Sequence, residues 1–350
     1  MPKSLGHATT STEDNPEATD VQMADAIVVG GGPAGSTCAW KLRDAGLDVL
    51  VLDRMAFPRT KLCAGWVTPE VMTDLELDGE DYPLSFMTFE ELHLHWKALT
   101  VKLKSRQHSI RRFEFDDFLL HRAGARVQQH KVRDIRRQGG DYVIDGEFRC
   151  KFLVGAGGTA CPVYRTLFHA SNPRSSVLQT ATYEQEFAYD WENGECHLWF
   201  FDNGLPGYAW YVPKANGFIN VGLGGMADRL KLQGGHVQEY WHKFVDKLEG
   251  RGLVHYGDYH PTGYSYYLRG NVDVVSENNA YLVGDSVGLA TRDMCEGIGP
   301  AVRSGLLAAD SIVTGADYSL AGIGKFSGRG IASKILERKF VGSQAGKTKL

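Results

Sequence analysis

At 350 residues, with 43% hydrophobic and 23% charged residues, the chain has the make-up of a globular protein of one large or two interleaved domains. A formal net charge of −4 gives no bias toward nucleic acid, and the apolar runs fall far short of the ~20 residues that span a bilayer. Six cysteines, at 38, 63, 150, 161, 196 and 295, form no C-x-x-C pair, so neither a zinc nor an iron–sulfur site is expected.

Residues 1–21, polar and without apolar period, read as a disordered tail. An apolar strand at 26–29 then runs into Gly30, Gly32 and Gly35, the G-x-G-x-x-G spacing, with Pro33 and Ala34 between the last two glycines. A helix is predicted over 36–45 and a second apolar strand over 49–52, ending in Asp53 and Arg54. Each part suits a dinucleotide. Gly30 permits a tight turn, Gly32 bares the backbone to a pyrophosphate, and Gly35 lets helix and strand pack closely. The helix start offers free N–H groups and a positive dipole end to the phosphates. Asp53 is placed to accept hydrogen bonds from a ribose diol.

Residues 54–66 read as a loop that carries Cys63, Ala64 and Gly65. Alternation at 86–104 predicts strands, and 115–124 a helix with Phe115, Phe118 and Leu119 on one side. Short strands follow at 125–127, 142–144, 147–149 and 152–154. Strong alternation at 180–225 predicts an antiparallel sheet, and 235–250 an aromatic-bearing helix. A buried strand at 281–283 ends at Gly284-Asp285, and 301–314 reads as a small-residue helix. The expected fold is α/β (α+β), a Rossmann-like ββα cofactor domain with an inserted antiparallel-sheet substrate domain. The cofactor domain is assigned to 22–66, 105–165 and 270–320, the substrate domain to 67–104 and 166–269, and a C-terminal tail to 321–350.

Four more segments narrow the class. These are Val154-Gly155-Ala156-Gly157-Gly158, Gly284-Asp285 at the end of its strand, Cys295-Glu296-Gly297-Ile298-Gly299, and Gly207-Tyr208-Ala209-Trp210-Tyr211-Val212-Pro213-Lys214. With Phe57-Pro58-Arg59, Lys61, Cys63 and Gly65, they resemble the geranylgeranyl reductase family. That family lies within the FAD-dependent oxidoreductases of the p-hydroxybenzoate hydroxylase fold, and the resemblance runs from about 24 to about 312. It implies FAD as cofactor, with Asp285 on a ribityl hydroxyl and the N–H groups of Gly297 and Ile298 at the edge where the reduced flavin is anionic. It adds Gly157, Arg112 and a backbone contact from Val132 to the adenine, and sets Cys63, Ala64 and Gly65 near the flavin ring. The pair Gly157-Gly158 departs from the Gly-Ala-Asp-Gly of the wider group.

Three residues are candidates for the chemistry. Cys63 is read as a proton donor or substrate-positioning thiol near flavin N5, against a plain packing role. Tyr208 and Trp210 share one strand face, where they line a substrate cavity or fill the core. Cys295 and the tyrosines at 264, 266 and 267 are weaker candidates. His93 and His95 also share a face, but no third ligand is visible in the sequence, so no metal is assigned.

The resemblance implies a flavin-dependent reductase that saturates a carbon–carbon double bond of an apolar, isoprenoid-like substrate. A transient electron donor, NAD(P)H or a redox protein, would recharge it. An aromatic or alkene monooxygenase is the alternative, with a halogenase as its variant, because Tyr208-x-Trp210-x-x-Pro213 partly resembles the halogenases' Trp-x-Trp-x-Ile-Pro. A third reading is an electron-transfer flavoprotein serving a quinone or a partner. With no signal-peptide pattern, a cytoplasmic setting is expected, with peripheral membrane contact open through the basic stretch at 97–137.

Overall fold

The computed structural model describes residues 21–341 apart from 80, 234–236 and 329–330. Except for Val21, the tail assigned to 1–21 lies outside the described residues. Two eight-stranded sheets organise the rest.

The first sheet is mostly parallel. Gln22–Val29 lies at its centre, between Val49–Asp53 and Phe148–Gly155, with Ala26 opposite both Val49 and Phe152. Arg126–Gln129 extends one side, Ala280–Leu282 and Ser276–Glu277 the other. Ile27, Val28 and Val49 to Leu52 are buried almost completely. A parallel strand covered on both faces reads as an unbroken apolar run for this reason. The helices Pro33–Asp44 and Ile298–Thr314 pack together beside the glycine loop. Small residues allow the approach: a Cβ at Gly305 would lie 2.4 Å from the Ala34 carbonyl oxygen.

The second sheet runs in the order Thr262–Tyr267, Gln179–Ala188, Phe218–Met226, Gly207–Lys214, Cys196–Phe200, Phe86–Trp96, Leu99–Ile110, Trp66–Val67. Its pairs are antiparallel with one exception. Cys196–Phe200 and Phe86–Trp96 run parallel, His197 beside His93. About a hundred residues intervene, and parallel neighbours need such a crossover rather than a turn.

Several boundaries differ from expectation. The first helix starts at Pro33 rather than 36, because proline at the first turn has no N–H to waste. Phe148–Gly155 is one strand rather than two, its exposed Lys151 being an edge of the alternation and not a break. The division read at 104/105 falls inside strand Leu99–Ile110, and Trp66 begins a strand of the second sheet. Beyond 321, where only a tail was assigned, Ile331–Phe340 is a helix, and Phe340 is buried against Phe201 and Tyr208.

Candidate active site

A cavity of about 1150 Å³ runs from the glycine loop of the first sheet to the aromatic face of the second. Gly30, at φ +115°, makes the turn that starts it, and a Cβ there would lie 2.4 Å from the Ala156 carbonyl oxygen. Gly32, Pro33 and Ala34 continue the wall. Gly32 precedes the helix without a side-chain cap, so the first N–H groups stay available to an anion. Gly35 is not on the wall. It faces the loop, where a Cβ would fall 1.9 Å from the Gly30 carbonyl oxygen.

Asp53 is buried and reaches the cavity with both oxygens already held. The Gly31 N–H donates to Oδ2 at 2.8 Å and the Met55 N–H to Oδ1 at 2.9 Å. The carboxylate thus fixes the loop, and the second lone pair of each oxygen is left for a diol. Arg54 and Val132 line the same cavity. So do Gly157, Asp285, Gly297 and Ile298, and there a second helix, Ile298–Thr314, begins at Gly297, its Gly299 N–H donating to Glu296 Oε1 at 2.8 Å. One uncapped helix start beside a bared glycine loop, a second helix start and a buried acid on one wall fit an FAD.

Cys63, Ala64 and Arg112 also meet the cavity. Arg112 donates to both oxygens of the buried Asp116, at 2.6 and 2.7 Å, with Arg59 3.3 Å from the same carboxylate. The Cys63 Sγ accepts from the Gly65 N–H at 3.4 Å. Gly65 itself lies off the wall at φ +66°, where a Cβ would stand 2.1 Å from the Ile110 carbonyl oxygen.

Tyr208 and Trp210 line the far end with Phe200, Leu198 and Tyr266. Their donors are engaged: the Tyr208 hydroxyl donates to the Met294 carbonyl at 2.6 Å, and the Trp210 Nε1–H to Asn220 Oδ1 at 2.7 Å. What these rings offer the cavity is therefore apolar surface. Cys295 lines it as well, its thiol pushed up to about 12 by burial.

A polar cluster among these rings escaped the sequence reading. Glu184 is 1% exposed and lines the cavity. Asn220 Nδ2 donates to Glu184 Oε2 at 3.1 Å and approaches the Cys63 carbonyl at 3.4 Å. Burial pushes the Glu184 carboxyl up to about 7, against the pull of Asn220, Lys61 and Lys214. Lys214 is fully buried, its ammonium donating to the carbonyls of Ala64 at 2.5 Å and Ile110 at 2.7 Å. The available signal was a polar residue amid apolar neighbours in a buried strand, Asn220 between Ile219 and Val221, and Lys214 after Pro213.

Residues 25–111 match the family model described as FAD dependent oxidoreductase. An uncharacterised protein of Methanosarcina barkeri is 30% identical over 315 residues, 82% of this chain and 74% of that protein. A menaquinone reductase of Mycolicibacterium smegmatis is 29% identical, over 85% of this chain and 79% of its own. A digeranylgeranylglycerophospholipid reductase of Methanopyrus kandleri is 27% identical over 57% and 54%. Among solved structures, a geranylgeranyl bacteriochlorophyll reductase-like protein of Thermoplasma acidophilum superposes with a TM-score of 0.74 at 18% identity, over 92% of this chain and 85% of its own. A flavin-dependent brominase shares the fold with a TM-score of 0.67 at 18% identity, over 85% and 81%. The chain belongs to the FAD-dependent oxidoreductases, and its relatives include reductases of the geranylgeranyl type. It is an enzyme whose cofactor is FAD.

Proposed function

We propose that the enzyme saturates a carbon–carbon double bond in an isoprenoid-like chain. The observation that carries this reading is the continuity of one cavity from the glycine loop to an apolar, aromatic wall that contains the buried carboxyl of Glu184, which burial pushes up to about 7. Reduced FAD, when bound, supplies a hydride at flavin N5. Gly30, Gly32, Pro33 and Ala34 would hold its pyrophosphate, Asp53 and Arg54 its ribose, and Asp285, Gly297 and Ile298 its ring end. Arg112, Val132 and Gly157 complete the cofactor wall.

An isolated alkene has no carbonyl to carry charge, so the protein must press it into place and exclude water. Tyr208, Trp210 and Phe200 supply the surface for that. Glu184 would give its proton to the alkene carbon that does not take the hydride, and its carboxylate would regain a proton from solvent once the product leaves. A carboxylic acid kept neutral near pH 7 by burial can do this. Asn220 positions it, and Cys63, whose carbonyl Asn220 also approaches, holds the ring-side loop rather than the proton. A transient donor, NAD(P)H or a redox protein, would supply the electrons.

The relatives' names support an apolar substrate: one acts on a geranylgeranyl phospholipid, another on menaquinone. The cavity mouth supports it too. Leu99, Val101 and Leu103 alternate along one strand face, each more than 40% exposed, and line the cavity with Ile335 and Leu336. A chain longer than the cavity could rest there, against a membrane surface. No helix among the described residues is long and apolar enough to cross one.

The test is anaerobic. Photoreduced holoenzyme mixed with geranylgeranyl compounds is expected to reoxidise and to yield a product two mass units heavier. Oxygen consumption dependent on an aromatic substrate, with no reduced product, would favour the monooxygenase reading instead.

A further inference from the structure

His93 and His95 met no third ligand in the sequence because their partners lie a hundred residues away. The parallel pairing of Phe86–Trp96 with Cys196–Phe200 sets His197 directly beside His93, and Glu195 immediately precedes that strand. Both imidazoles are 6% exposed. The side-chain oxygen Glu195 Oε2 lies 3.4 Å from His93 Nδ1 and 3.4 Å from His197 Nε2, and the three atoms fall within 4.8 Å of one another. His197 Nε2 is buried and has no hydrogen-bond partner.

We infer that His93 Nδ1, His197 Nε2 and Glu195 Oε2 form a binding site for a divalent transition-metal ion of zinc type. Ligands held about 2.1 Å from a tetrahedral ion stand about 3.4 Å apart, the spacing of Glu195 Oε2 from each histidine. Two imidazoles and one carboxylate are a zinc donor set, with the fourth position open to water past the half-exposed Glu195.

The outer partners of both histidines fit the same assignment. His93 Nε2 lies 3.1 Å from Glu91 Oε1, so its N–H donates to a carboxylate and Nδ1 is left bare. His197 Nδ1 lies 3.0 Å from His95 Nε2, and His95 Nδ1 lies 2.9 Å from Thr100 Oγ1. One proton order satisfies this chain. His95 Nδ1–H donates to Thr100, His197 Nδ1–H donates to His95, and the lone pair of His197 Nε2 is free. Each histidine is thereby held in the tautomer a metal needs.

None of the three ligands lines the redox cavity, although His95, the outer partner of His197, meets it. Residues alternate across a strand, so Leu92, Leu94, Leu198 and Phe200 line the cavity while His93 and His197 stand on the opposite face. Trp199, on the histidine side, packs against Phe244 of helix Val237–Gly250. A metal there would clamp the one parallel pair of the second sheet.

Holoenzyme freed of any affinity tag and treated with chelator is titrated with zinc chloride by calorimetry. One zinc per chain is expected, with a rise in melting temperature on saturation. Glu195→Gln, at a half-exposed position that leaves the core alone, should weaken binding more than tenfold. Glu91→Gln and Thr100→Val should weaken it roughly 10–100-fold, the usual effect of outer partners, while His121→Ala on the surface changes nothing. Magnesium chloride should not bind. Absence of stoichiometric zinc, or binding unaltered in Glu195→Gln, would overturn the assignment and leave the carboxylate as a plain partner of one protonated histidine.

Discussion

Glu184 carries the sharpest consequences for single side chains. Glu184→Gln keeps the shape and the bond to Asn220 but has no proton to give. Its single-turnover rate should fall by roughly 10²–10⁴-fold, the usual contribution of a positioned acid, with FAD still bound. The parent rate should decline as pH rises through about 7, and the variant should lose that limb. Stopped-flow reoxidation across pH reads both, and an unchanged profile in the variant would place the proton elsewhere. Tyr208→Phe is a contrasting case. It removes only the bond to the Met294 carbonyl, so stability should drop by about 1 kcal/mol while turnover stays within a few-fold. Loss of turnover with unchanged stability would return the phenol to the chemistry.

Among the elements, the glycine loop with its helix was legible from the sequence because spacing and chemistry coincide there. Only glycine suits Gly30 at φ +115°, and only glycine fits Gly35 against the loop. Gly35→Ala should therefore lose bound FAD and lower stability by about 1–3 kcal/mol or more, the cost of an overpacked site. Absorbance of the purified protein and a thermal melt check it. The second sheet was less legible. Alternation at 180–225 gives strands and their faces but not their neighbours, so the parallel pairing that joins His93 to His197 was out of reach. Glu184 and Asn220 were hidden for a related reason. A polar residue in an alternating strand reads as solvent-facing until a neighbouring layer covers it, and here that layer includes the loop at Cys63 and Ala64.

For the whole molecule, the buried carboxyl sets a pH dependence of folding. Its value rises from 4.5 to about 7 on burial, so the folded state holds the proton more tightly than the unfolded chain. Its favourable contribution is complete below about pH 4.5 and is lost as pH rises through about 7. The shift corresponds to on the order of 3 kcal/mol. Thermal melts at pH 5 and pH 8 should show a smaller pH dependence in Glu184→Gln than in the parent, and equal slopes would mean that the carboxyl is already ionised. The two sheets meet over one cavity, and the account depends on that cavity joining FAD to an alkene. The direct measurement is anaerobic mixing of photoreduced holoenzyme with geranylgeranyl compounds, followed by flavin absorbance and product mass. The account expects flavin reoxidation in step with a product that has gained two hydrogens. Flavin that stays reduced with every polyprenyl compound tried would contradict it.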